Sequence, residues 1–92
     1  MHSIDLALYA DALAGEAASI SARIERERGR LRQAAVERRA RDALPDPVVE
    51  RLEELGLLAT RGDVTALADL EEALDAIEAL QAWVEGQLMI VR

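Results

Sequence analysis

The sequence has no cysteine, no lysine and no phenylalanine, one histidine, and only two aromatic residues, Tyr9 and Trp83. Without cysteine there is neither a disulfide framework nor a thiolate metal site, and a reducing, cytoplasmic setting is the expectation. The lone histidine is His2, far from any helix centre. A histidine-centred triad, an H-E-x-x-H zinc site and a mid-helix phosphorelay each need a better-placed one. Large side chains are scarce and 18 of the 92 residues are alanine. Alanine favours helix but buries little area, so one copy alone builds only a thin core. Long hydrophobic runs are lacking too. The N-terminal stretch MHSIDLALYADALAG carries Asp5 and Asp11, with Glu16 directly after it and no basic residue before them. Neither a signal peptide nor a membrane-spanning helix is expected.

Charge is plentiful and unevenly placed. The net charge is −7, and all eleven basic residues are arginine. Residues 23–42 hold eight arginines against Glu25, Glu27, Glu37 and Asp42, whereas residues 43–92 hold eleven acids against Arg51, Arg61 and Arg92. The acidic total opposes non-specific binding to nucleic acid, although Arg23, Arg26, Arg30 and Arg41 fall on one side of a helix.

The clearest helix is the stretch Asp63–Val91. Leu67, Leu70, Leu74, Ile77, Leu80, Val84, Leu88 and Val91 follow one another at three- and four-residue steps, which places them on one face. Asp63 after Gly62 reads as its N-cap. The far side carries Asp69, Glu71, Glu72, Asp75, Glu78 and Glu85. Glu71, Asp75 and Glu78 share a face but lie opposite the leucines without a histidine, so they read as solvated carboxylates rather than an inward-pointing bundle metal site. No cofactor or metal is expected.

Upstream, Leu6, Leu13, Ala17, Ile20, Ile24, Leu31 and Ala34 form a second seam that nothing stops before Leu44-Pro45-Asp46-Pro47. One helix from about residue 4 to about 43 follows, roughly 60 Å long at 1.5 Å per residue. Pro45 ends it. Asp46 should cap a short helix over about 47–58, with Pro47 at its first position and Thr60-Arg61-Gly62 closing it. Opposite charges at i, i+3 and i, i+4 support the long helix: Glu25–Arg28, Glu27–Arg30, Arg23–Glu27, Glu37–Arg41 and Arg38–Asp42. The stretch VERLEELGLLATRGD (49–63) resembles the end of a recognition helix and the start of a wing in winged-helix regulators. That wing needs two strands, and the following residues form a helix, so the family is not adopted.

The fold class expected is therefore all-α: one domain, a long helical hairpin with a broken return arm, doubling into a four-helix-like bundle or coiled coil as a homodimer. Leu70, Leu74, Ile77, Trp83, Val84 and Leu88 are the expected association surface. The apolar end Leu88–Val91 is to be covered either by a partner chain or by the first helix near Leu6 and Leu8. Arg23, Arg26, Arg38 and Arg41, facing Glu50, Glu54, Asp69 and Glu72, are expected to set orientation. No nucleophile–base or metal set is present, so a non-enzymatic adaptor or interaction module is expected. The alternatives are a nucleic-acid-associated regulator using the Arg23–Arg41 face, or a helical chaperone for an assembling or secreted partner.

Overall fold

A computed structural model describes residues 3–91, with side chains from Ile4 to Ile90. His2 lies outside the described residues. The described residues form three helices: α1 Ser3–Ala43, α2 Asp46–Glu54 and α3 Val64–Val91. They make an all-α hairpin of 68 × 18 × 14 Å, in which α3 runs back along α1 and α2 touches α1 only lightly.

α1 runs unbroken for 41 residues because no proline interrupts it and its seam never loses phase. Its buried side repeats every seven residues through Leu6, Leu13, Ile20, Glu27, Ala34 and Arg41. α3 repeats at the same interval through Leu70, Ile77 and Val84. Matched seven-residue repeats let two helices keep one contact line over their length. The core is narrow: Leu6, Leu13 and the fully buried Val84, flanked by Ala10, Ile77, Leu80 and Leu88. Ile20, Ile24, Ala34 and Leu58 extend it towards the closed end.

The closed end departs from expectation in two ways. Asp46 does not cap α2. Pro45 holds the N-cap position in extended conformation without a side-chain hydrogen bond, and Asp46 stands inside the first turn, where its charge still favours the helix dipole. α2 also ends at Glu54, four residues early. The stop is Gly56, not the Thr60–Gly62 stretch. Gly56 adopts φ +72°, its N–H donates to Glu53 O at 3.0 Å, and Leu57 N–H donates to Leu52 O at 3.0 Å. This paired closure is the Schellman ending that a left-handed glycine permits. The return arm is thus parted by a loop, 55–63, rather than by one kink. Gly62 lies outside both helices, and Asp63 caps α3, its Oδ1 accepting from Ala66 N–H at 3.1 Å.

Both loop ends are testable by urea denaturation followed by circular dichroism. Gly56→Ala should destabilise by about 1 kcal/mol, because alanine disfavours positive φ. Asp63→Ala should cost about 0.5–2 kcal/mol through the lost cap.

Candidate functional site

Five of the six residues expected to form the association surface help close the hairpin. Val84 is 0% exposed, Ile77 and Leu88 pack against its cluster, and Leu70 and Leu74 are half-buried. The leucine face of α3 turns inward because the α1 seam is the apolar line it can reach within its own chain. Trp83, one step off the seam, stays 53% exposed. With Leu80 it forms one wall of an apolar groove at the open end; Tyr9 and Asp5 form the other, and buried Leu6 is the floor. Two aromatic edges over an apolar floor can receive an apolar side chain. Among the described residues Asp5 is the one carboxylate at its rim, and they place no nucleophile–base pair there.

The second feature is a polar clamp on the loop 55–63, built by side chains of α1. Glu27 and Glu37 are both buried. Glu27 Oε1 accepts from the Asp63 backbone N–H at 2.6 Å, and its Oε2 accepts from Arg30 Nε at 2.8 Å. Glu37 Oε1 accepts from Thr60 N–H at 3.4 Å, while its Oε2 is buried with no partner among the described residues. Gln33 Nε2 donates to Thr60 Oγ1 at 3.0 Å, and the Arg41 guanidinium donates to the Leu58 carbonyl. Between these contacts Gly62 lies directly on α1. A Cβ there would stand 2.5 Å from Leu31 Cδ2 and 3.0 Å from Leu31 Cα.

The Asp63 N–H on its carboxylate, and then the Arg30 hydrogen bond, hold Glu27 below the usual glutamate range. Desolvation pushes the other way and is outweighed. The charge spacing places Glu27 and Glu37 on the α1 surface, Glu27 with Arg23 and Arg30 and Glu37 with Arg41. The Glu27–Arg30 pair forms, at 2.6 Å, whereas Arg41 turns to the loop and to Glu53 at 3.3 Å. The signal available was phase: Glu27 stands at a seam position, where a carboxylate is stable only with partners.

Of the residues expected to set orientation, Arg41 joins the two arms, through Glu53. Glu54 pairs with Arg51 inside α2 at 3.0 Å. Arg23, Arg26, Arg38, Glu50, Asp69 and Glu72 are exposed and form no ion pair among the described residues. The second inter-arm pair is Arg28–Glu71 at 3.6 Å, near the expected register but turned about the helix axes. Both inter-arm pairs are solvent-facing, worth about 0–1 kcal/mol each, so the buried clamp outranks them in holding the arms.

Among the described residues no cluster of three or more histidine, cysteine, aspartate or glutamate side chains is placed to hold a metal ion. No helix there is long and apolar enough to cross a membrane. No family model, curated protein or solved structure matches the chain.

The clamp predicts an acid response. Arg30 does not titrate in this range, and the folded-state pKa of Glu27 is lowered. Its stabilisation is therefore complete above the unfolded value of about 4.3 and is lost as pH falls through the lower folded value. Thermal melts at pH 7 and pH 3 should show Glu27→Gln, which keeps an acceptor oxygen but no charge, losing less between the two than the parent chain. An identical acid shift in both would remove Glu27 from the account. Gly62→Ala should destabilise by about 1–3 kcal/mol, since Leu31 Cα is backbone and has little room to give; chemical denaturation measures it.

Proposed function

We propose that the chain is a non-enzymatic helical interaction module that acts through self-association into a homodimer. One observation carries it: among the described residues seven apolar side chains are buried, while twelve large apolar ones remain exposed, Ile4, Leu8, Tyr9, Val36, Trp83, Met89 and Ile90 among them. A two-helix cross-section covers one line of each helix and leaves the remainder open, and exposed apolar surface on this scale marks association. The absence of cysteine is in keeping with a cytoplasmic location.

A second possibility has its own observation. Arg23, Arg26, Arg32, Arg38 and Arg39 are exposed and make no ion pair among the described residues, so the arginine-rich half of α1 could meet phosphate. The net charge of −7 opposes this. Binding to a labelled duplex that weakens steeply with salt would favour it.

Sedimentation equilibrium at micromolar concentration should give twice the 10.1 kDa chain mass. A stable 10.1 kDa species with a cooperative melt would overturn self-association.

A further inference from the structure

α1 carries a second line that the hairpin does not use. Ile4, Leu8, Asp11, Gly15, Ala18 and Ala22 continue at alternating three- and four-residue steps through Glu25, Gly29, Arg32, Val36 and Arg39. All but Val36 lie two residues before a seam position, so the line runs along the side of α1 turned away from α3. Every member is exposed except Gly29, which is partly covered. Ile4, Leu8 and Val36 are 63%, 64% and 57% exposed. Seven of its eleven members are apolar or glycine, which lets a second helix approach along it.

The charges on the line choose its occupant. Its first half carries Asp11, its middle carries Glu25, which is paired with Arg28 at 2.9 Å, and its last part carries Arg32 and Arg39. A second α1 laid antiparallel places Asp11 beside the partner copy's Arg32, and Ile4 and Leu8 over its Val36 end. A parallel copy would set Asp11 on Asp11 and each arginine on itself, which like charges oppose. The smallest residues, Gly15, Ala18, Ala22 and Gly29, fall at the middle, where two antiparallel helices come closest. Beyond its own helical turn, no described residue lies within 4 Å of a Cβ placed on Gly15, so the packing of the hairpin does not require a glycine there.

We propose that this outer line of α1 is the homodimer interface, formed with a second copy running antiparallel about a two-fold axis near Ala18–Ala22. An isologous contact of this kind makes every attractive pair occur twice. It stacks the dimer in the order α3, α1, α1, α3 and leaves the Tyr9–Trp83 groove open. The assignment rests on the self-association proposed above.

The test uses the full chain, with folding checked by circular dichroism. Asp11→Arg, at an exposed site, should weaken dimerisation about ten-fold, since two attractive pairs become repulsive. The double variant Asp11→Arg/Arg32→Asp should restore it. Because the chain lacks cysteine, Leu8→Cys mixed with Val36→Cys should give a disulfide-linked dimer on mild oxidation, and Leu8→Cys alone should not. A monomeric parent chain would overturn self-association and this interface together. A dimeric parent that ignores Asp11→Arg, gives no Leu8→Cys/Val36→Cys product and dissociates on Trp83→Asp would overturn this interface alone. Leu8→Cys linking to itself would overturn the antiparallel direction.

Discussion

The hydrogen bond from the Asp63 backbone N–H to the Glu27 carboxylate, 2.6 Å long, fixes where the return arm re-enters the hairpin. Everything towards the open end depends on that point. Asp63 caps α3 with its side chain while its own N–H is held by α1. The start of α3 is thus tied in rotation and in height. From there the seven-residue repeat carries Ile77 and Val84 onto Leu13 and Leu6. A return arm displaced by one residue would move its leucines off that line and leave Glu27 buried without its backbone partner. The cost of a buried unpaired carboxylate makes the register specific in a way that leucines on alanines alone do not.

Polar specification of this sort suits a core so poor in bulk. Aliphatic side chains facing alanine slide past one another at small cost, because few shapes interlock. Glu27, Glu37, Gln33 and Arg41 read the loop through directed bonds to its backbone and to Thr60. Gly62 completes the fit by allowing the main chain to lie against Leu31. The two solvent-facing ion pairs between arms add direction at long range, but they are screened and mobile in comparison.

Much of the fold was legible because its signals were local. Pro45 stops α1, and the leucine spacing of α3 together with Asp63 after Gly62 identifies the last helix and its cap. The end of α2 was misplaced because Leu52, Leu55 and Leu58 keep a helical spacing across Gly56. Periodicity cannot show that a glycine has taken positive φ. Spacing identifies an apolar face on α3 without saying which helix covers it; within the chain the α1 seam meets Ile77, Val84 and Leu88. The clamp was missed for a related reason. Short-range charge rules assign a glutamate to the nearest arginine, whereas Glu27 and Glu37 bond to backbone 36 and 23 residues away.

α2 has no buried residue. Its nine residues are held by Pro45 before it and Pro47 in its first turn, a glycine closure after it, and one exposed ion pair to α1. A segment with so little to lose opens at low free energy while the two long helices stay paired. The hairpin therefore has two mechanical grades along its axis. Past the clamp lies a stiff rod; before it lies a short helical flap that can swing or melt without transmitting the change. Whatever binds the open end meets a fixed shape, and whatever binds the closed end meets one that it can remould.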